Sequence, residues 1–189
     1  QPIKNMGYVL VANGEIYNDL QIRKLIKKYK YKTNSDSESI IAIYNEFGLE
    51  GIKKLRGMYA FALYDTYKDI LIISRDEFGI KPLYFSINDY GVIFSSEIKP
   101  IINTNIRKYK LDNLKILEFF QNQYCSGRET IYKDILRVRQ GETLVIRKGK
   151  IIKSFINSIP IKKKNPITVN KKYISDSLEE SISTHLRSD

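Results

Sequence analysis

The sequence contains no tryptophan, one cysteine and one histidine among its 189 residues. A single thiol and a single imidazole exclude a disulfide within the chain and a zinc site built from this chain alone. No apolar run approaches the roughly 20 residues needed to cross a bilayer. No charged segment followed by an apolar one opens the chain in the manner of a secretion signal. We therefore expect a cytoplasmic protein with no membrane partner and no metal site of its own.

Positive charge dominates the composition, with 32 Lys and Arg against 21 Asp and Glu and a net charge of +11. The basic residues are spread from Lys4 to Arg187 and are not interleaved with aromatic side chains as in RNA-binding modules. The short lysine run 162–164 lies between two prolines and is typical of a linker. The pattern favours a solvated basic surface and predicts no nucleic-acid partner. A basic binding module is the alternative, which a salt-dependent shift of nucleic acid would support.

A hydrophobic content of 42%, with 14 Tyr and 8 Phe, supports a packed core. Hairpins with few crossover helices, flanked by helices, predict an α+β domain with mostly antiparallel sheets. Strands are predicted over 7–13, 58–65, 70–74, 82–87, 92–96, 144–146 and 151–155. Helices are predicted from Asp19 to near Lys32, from the polar turn 33–36 to Phe47, and over 97–102, 111–121 and 173–186.

Two helices carry specific burial predictions. Ile40, Ile41, Tyr44 and Phe47 mark the buried face of the second helix, whose periodicity ends at a glycine. The last helix has apolar residues at every fourth position from Ile174 to Leu186. Fourteen helical residues cannot bury such a stripe alone. We expect this helix to follow a linker over 157–172 and to belong to a domain that continues past Asp189.

Five segments stand in a fixed order: VANGEIYN (11–18), NSDSES (34–39), RGMYAFALYD (56–65), SRDEFGIKPLY (74–84) and SSEIKPI (95–101). Their order and spacing resemble the glutamine-hydrolysing asparagine synthetase family over about residues 6–156. The tail SISTHLRSD is similar to the helix that precedes that family's ATP-binding loop. The resemblance implies an incomplete type 2 glutamine amidotransferase domain over 1–156, truncated at its N-terminus, and the first helix of an ATP-dependent synthetase domain over 173–189. It implies the four-layer αββα sandwich of the N-terminal-nucleophile hydrolases.

In that family an N-terminal Cys thiolate attacks the side-chain amide of glutamine, and the oxyanion that forms needs preorganised donors. The matching residues are Asn13, through its side-chain NH2, and Gly14, through its backbone N–H. Glu15 and Asp36 match the acceptors of the substrate's α-ammonium. From the residues alone, Asn13-Gly14 indicates a turn after a buried strand. Asp36 also suits a helix N-cap, and Glu15 a solvated turn carboxylate.

The Arg75-Asp76 string marks the wider class of amidotransferases, and we interpret it as structural. Asp76 is expected to close its turn onto backbone N–H groups, and Gly79 to take a positive φ.

Several parts of the family pattern are missing. Residue 1 is Gln instead of the nucleophilic Cys, and neither the Arg stretch that clamps the α-carboxylate nor the pyrophosphate-binding motif is present. ATP and Mg2+ are therefore expected to bind outside this chain. Cys125, with no N-terminal amine to act as its base, is predicted to be a small buried side chain, and His185 to be structural or exposed.

The resemblance implies that ammonia released from glutamine amidates β-aspartyl adenylate, giving asparagine, glutamate, AMP and pyrophosphate. Glutamine and a C-terminal synthetase domain of the same polypeptide are the implied partners, with a homodimer as a further option. The alternatives are an amidotransferase acting on a sugar or another carboxylate, and a truncated domain without activity. The isolated chain is expected to be inactive, because no acyl-enzyme forms without the Cys.

Overall fold

The strands form two antiparallel sheets in a computed structural model that describes residues 1–89, 91–158 and 171–186. The strands are β1 (Ile3–Asn5), β2 (Tyr8–Ile16), β3 (Gly57–Asp65), β4 (Ile70–Arg75), β5 (Tyr84–Asn88), β6 (Gly91–Ser95), β7 (Leu136–Arg137), β8 (Glu142–Arg147) and β9 (Lys150–Ile156). The helices are α1 (Asp19–Leu25), α2 (Glu38–Phe47), α3 (Leu49–Ile52), α4 (Ile98–Asn103), α5 (Asn113–Asn122) and α6 (Lys171–His185). The larger sheet has the order β1-β2-β3-β4-β8-β9 and the smaller one β6-β5-β7.

One face of the larger sheet carries a row of paired, buried side chains. Leu10 lies opposite Leu63, Leu63 opposite Ile72, and Ile72 opposite Val145. Side chains alternate between the two faces of a strand, so a slip by one residue would turn this row away from the core. The row belongs to the same cluster as the buried side of α2. The helices α1 to α3 therefore form the layer on this face.

The opposite face of the larger sheet packs on the smaller sheet. Ala62 and Leu144 from the larger sheet share a core cluster with Phe85 of β5 and with Leu83 and Val138 beside the smaller sheet. On the far side, α4 contacts β5 and β6 and buries its Ile101 completely. The layers run helix, sheet, sheet, helix. This confirms the predicted α+β αββα sandwich with antiparallel sheets.

The first helix is shorter than predicted. It ends at Leu25 instead of near Lys32. Ile26 and Tyr29 are buried as irregular chain, and the segment that follows wraps around the carboxylate of Glu38. Tertiary hydrogen bonding to that carboxylate outweighs the helical periodicity.

Two other local predictions were wrong. Asn13 and Gly14 do not form a turn, because β2 continues to Ile16 and stays paired with β3 along its whole length. Phe47 is 39% exposed, and Ile43 takes the buried position in its place. Strands β1 and β7 were not predicted, since three and two residues carry too little periodicity to detect.

The last two helices differ from the rest, because neither contains a buried residue. The predicted stripe of α6 (Ile174, Leu178, Ile182 and Leu186) is 49–77% exposed. The helix still contacts the sandwich, with the rings of Tyr17 and His185 4.7 Å apart between centroids. The predicted linker falls largely on residues 159–170, outside the described residues, and the domain boundaries remain predictions.

Candidate functional site

The far end of β2 borders a cleft of about 250 Å3 between the two sheets. Asn13 lies on the sheet face that carries Val9 and Val11, because side chains two residues apart share a face. The cleft is lined by residues from four of the five segments singled out in the sequence; among them are Asn13, Ala60, Leu83, Ser95 and Ser96. The fold thus brings these segments together around the Asn13 side chain.

Gly14 occupies a position that only glycine fits. Its φ is 142°, and a Cβ atom built there would lie 2.0 Å from the carbonyl oxygen of Met58 and 2.7 Å from the Cα of Tyr59. Any side chain would push β2 away from β3. The glycine therefore allows the two backbones to approach closely at this end of the sheet.

The backbone N–H of Gly14 points to the edge of β2 that faces away from β3. In an antiparallel strand, the N–H groups of alternate residues point to the same neighbour. The N–H of Ala12 donates to the side chain of Gln1 at 2.8 Å, and that of Ile16 donates to the carboxylate of Asp36. Gly14 lies between these two and shares their side. Because β1 pairs only with Tyr8 to Leu10, this edge is open at Gly14 in the described part of the chain.

Asp36 is brought to the same edge of β2. Its Oδ2 accepts from the backbone N–H of Ile16, and its Oδ1 accepts from the backbone N–H of Ser37 at 2.6 Å. The helix-cap interpretation is wrong, since α2 begins at Glu38 with Ser37 as its N-cap and no side chain caps it. The carboxylate instead fastens the loop before α2 to the end of β2, two residues from Gly14.

Glu15 is half-buried on β2, opposite Met58. It shares a sheet face with Asn13. Burial, followed by the negative charge of Glu15, raises the pKa of Tyr17, so the Glu15 carboxylate lies near that ring. The sequence-predicted residues thus fall on one stretch of β2 and on the loop tied to it. Glu15 and Asp36, however, do not line the cleft that contains Asn13.

A buried carboxylate that the sequence did not single out organises the loop before Asp36. Glu38 is fully buried and accepts from the backbone N–H groups of Lys32 and Thr33 and from the Asn5 amide, at 2.6–3.1 Å. Burial alone would raise the pKa of Glu38, but these hydrogen bonds outweigh it and lower that pKa. A glutamate on the apolar side of a helix was the signal that could have identified it.

Arg23 holds the other side of this loop. It pairs with Asp19 at 2.8 Å and donates to the carbonyl oxygen of Ser35 at 2.7 Å. Its guanidinium also lies 4.0 Å from the ring centroid of Tyr31. The loop that presents Asp36 is therefore fixed from both sides.

The turn after β4 is built as expected, around the buried carboxylate of Asp76. Its oxygens accept from the backbone N–H groups of Tyr59, Phe78, Ile80 and Lys81 at 3.0–3.2 Å. Gly79 has the expected positive φ, 64°. Since Tyr59 lies opposite Gly14, Asp76 also supports the strand against which Gly14 packs.

The chain's one cysteine and one histidine do not lie at the end of β2. Cys125 is buried at 5% exposure, as predicted, with its Sγ 3.6 Å from the carbonyl oxygen of Lys115. His185 is exposed on α6. Within the described residues, no group of three or more His, Cys, Asp or Glu side chains could hold a metal ion. No helix in the same ranges is long and apolar enough to span a bilayer.

The sandwich fold is shared with solved structures of low sequence identity. It matches the solved glutamine phosphoribosylpyrophosphate amidotransferase of Bacillus subtilis with a TM-score of 0.54 at 22% identity, over 84% of this chain and 32% of that one. A second solved structure, described as the allosteric regulatory enzyme of purine biosynthesis, gives a TM-score of 0.57 at the same identity and coverage of this chain.

Residues 1–156 match the model of the glutamine amidotransferase domain, and the chain belongs to this family. It is similar, at 34% identity over 96% of its length, to a putative glutamine-hydrolysing asparagine synthetase of Mycobacterium tuberculosis. It is 31% identical over the same share to asparagine synthetase 1 of B. subtilis, and 43% identical over 54% of its length to asparagine synthetase B of Escherichia coli. The chain spans 30%, 29% and 19% of the length of these relatives.

Proposed function

We propose that this chain is the glutaminase part of a glutamine-dependent asparagine synthetase. The observation that carries the proposal is the match along nearly the whole chain to enzymes named as glutamine-hydrolysing asparagine synthetases. The arrangement at the end of β2 supports the glutaminase half of this function. There a side-chain amide and a backbone N–H lie on adjacent residues.

In the proposed reaction, a thiolate supplied from outside these residues attacks the glutamine side-chain amide. The negative charge that develops on the carbonyl oxygen is stabilised by the Asn13 amide and the Gly14 N–H, neither of which carries a formal charge. Collapse of the tetrahedral adduct releases ammonia and leaves an acyl-enzyme that water hydrolyses to glutamate. Losing one such donor lowers the rate on the order of 100-fold or more.

Asp36 and Glu15 would select a free amino acid by accepting from its α-ammonium. A carboxylate offers about four lone-pair positions, and Asp36 uses three of them, on the backbone N–H groups of Ile16 and Ser37 and on the Ser37 hydroxyl at 3.4 Å. The position that remains is open to a charged donor. The tether to Ile16 would hold this acceptor in register with Gly14.

The second half of the reaction would take place on the remainder of the polypeptide. There ATP and Mg2+ would activate the β-carboxylate of aspartate in the cytoplasm, and ammonia would displace AMP to give asparagine. The described residues contain no cluster suited to Mg2+, so no step of that half is assigned to this chain. There are two alternatives: the enzyme amidates an acceptor other than aspartate, or the domain has no activity.

Nitrogen-source dependence of the full-length polypeptide tests the proposal. Asn13→Ala should lower asparagine formation from glutamine on the order of 100-fold and leave formation from free ammonia within about twofold. Asn122→Ala, at the end of α5, is the matched control and should change neither rate. Equal losses with both nitrogen sources would assign Asn13 to the fold, and failure of aspartate to serve as acceptor would favour another product.

Substrate recognition is tested separately with Asp36→Asn in the same polypeptide. The single amide oxygen can still accept from Ile16, but the hydrogen bond from the N–H of Ser37 and the ion pair with the ammonium are lost. We expect the KM for glutamine to rise about tenfold or more, with only a small fall in the melting temperature. An unchanged KM would restrict Asp36 to its structural contact.

A further inference from the structure

A second cleft, of about 560 Å3, lies on the molecule beside the turn that follows β4. Its walls come from that turn, from the segment after α5 and from the chain around β7. Three arginines line it, Arg75, Arg137 and Arg139, together with Tyr124 and Gln140. Its volume is in the range of small-molecule sites.

The three guanidinium groups have no acidic partner. No Asp or Glu lines the cleft, and within the described ranges none of the three has a carboxylate oxygen within 4.0 Å. The arginines at four other positions are each paired with a carboxylate: Arg23, Arg56, Arg107 and Arg128. Among the described residues Arg147 of β8 also lacks a carboxylate within 4.0 Å and donates only to the carbonyl oxygen of Lys68, but in this cleft three such arginines lie together.

Arg75 is the buried member of the group, at 9% exposure. It donates to the carbonyl oxygens of Lys81, Val138 and Gly79 at 2.5–2.9 Å, which fixes its plane. The neighbouring Asp76 carboxylate offsets part of its charge without forming an ion pair. Burial is the main cause that lowers the pKa of Arg75, and the positive charge of Arg137 is the second cause. An anion in the cleft would offset both the desolvation and the repulsion.

We propose that this cleft binds a phosphate monoester, with the phosphoryl group held by Arg75, Arg137 and Arg139. Guanidinium groups form bidentate hydrogen bonds with phosphate, and three of them match a dianion better than a single negative charge. The cleft is larger than a phosphate ion, and Tyr124, which is 62% exposed, offers an aromatic surface for the organic part of the ester.

The neighbouring chain does not provide the missing charge. Ile156, which also lines the cleft, leads into a segment whose sequence carries the lysines 162–164 and no acidic residue before Asp176. Two carboxylates flank the wall formed by the segment after α5, and both pair with Lys115. Glu118 also accepts from the backbone N–H and hydroxyl of Ser126, and Glu129 has its Oε2 beside Gly127. None of these carboxylates lies within 4.0 Å of the three guanidinium groups, so an external anion can bind there. This inference does not depend on the proposed glutaminase function.

Titration of the 1–189 chain tests the proposal, with inorganic phosphate and phenyl phosphate as probes and sodium chloride used to hold the ionic strength constant. We expect saturable shifts of the backbone amide resonances of residues 124–127 and 137–140, with phenyl phosphate binding more tightly than phosphate. Arg137→Gln and Arg139→Gln should each weaken binding about tenfold, the loss of one charge-assisted hydrogen bond. Arg75 is left intact because it also holds the turn.

Lys133→Gln removes an equal charge from an exposed site outside the cleft and should keep the affinity within about twofold. The proposal is overturned by shifts that do not saturate, or by equal losses in the control and the two arginine variants. Succinate binding as tightly as phenyl phosphate would also overturn it and would indicate docking of a carboxylate-bearing partner.

Discussion

The helices α2 and α5 are equal in length and opposite in environment. Each has ten residues, but seven of those in α2 are buried and none in α5 is. The same contrast separates the carboxylates. Glu38 and Asp76 are fully buried and hydrogen-bonded around the candidate site, whereas Asp176 lies exposed on α6.

The difference separates a region that packs around its own core from two helices that contain no buried residue. The sandwich around β2 supplies hydrogen-bond donors to its buried carboxylates Glu38 and Asp76 and buries its own apolar residues. Helices α5 and α6 contribute exposed apolar side chains to the surface. Stability should therefore depend strongly on residues in the first region and weakly on equivalent residues in the second.

The largest expected effect is that of Asp76→Ala. Removing this buried carboxylate leaves four backbone N–H groups without their acceptor, one in β3 and three in the partly exposed turn. Each such donor that water cannot reach costs about 1–3 kcal/mol. Partial relaxation should limit the loss of unfolding free energy to roughly 3–5 kcal/mol, measured by urea denaturation. Asp176→Ala, the exposed counterpart, should stay within about 0.5 kcal/mol. Similar losses in both variants would contradict the contrast.

The second largest change in unfolding free energy should come from one of a matched pair of isoleucines. Ile41 in α2 is completely buried, and Ile182 in α6 is 57% exposed. Ile41→Ala should lower the unfolding free energy by about 2–5 kcal/mol, through lost burial and the cavity left behind. Ile182→Ala should change it by less than about 0.5 kcal/mol. A loss above 1 kcal/mol at Ile182 would show that α6 packs on the sandwich.

The carboxylates of Glu38 and Glu77 should change the unfolding free energy in opposite directions as the pH rises. The pKa of Glu38 is lowered from 4.5, so its contribution is present above that pH and is lost as pH falls toward the folded-state pKa. Burial raises the pKa of Glu77 from 4.5, so its contribution declines as pH rises through that value. Urea midpoints between pH 3 and 7 should show that Glu38→Gln flattens the acid side of the profile. Glu77→Gln should raise stability at neutral pH, and equal profiles for the two variants would refute this assignment.

The smallest effect concerns hydrogen exchange in α6. Its residues are all outside the core, so its amides should exchange quickly, whereas those of α2 should exchange at rates set by global unfolding. Measurement on a monomeric sample of the 1–189 chain compares the two helices directly. Strong protection over 173–186 would move the predicted domain boundary.

Most of the architecture was predictable from the sequence, because the spacing of apolar residues along the chain reflects which side chains are buried. The dense runs of β-formers in β3 and β4 and the hairpin of β8 and β9 gave correct strands. The end of α1 was not predictable, since it depends on a carboxylate 13 residues further along the chain. The continuation of β2 through Gly14 was missed because local turn propensity was outweighed by pairing with β3, some 45 residues away.

At the candidate site, the sequence identified residue types but not their connections. That Asp36 bonds to the backbone of Ile16 and not to the start of α2 follows from how the loop folds against β2. Local spacing cannot distinguish these two outcomes. The arginine cleft could not be predicted from the sequence either, because its three arginines come together only when β7 is placed beside the turn after β4.

The hydrogen bonds along the open edge of β2 also bear on solubility. Beyond β1, this strand would expose a row of unpaired peptide groups, the usual template for aggregation through strand addition. Gln1 engages both the N–H and the carbonyl oxygen of Ala12, and Asp36 engages the N–H of Ile16. Two side chains thereby leave too little of the edge for a foreign strand to pair with. Variants that release either one should be screened for fibril formation as well as for activity.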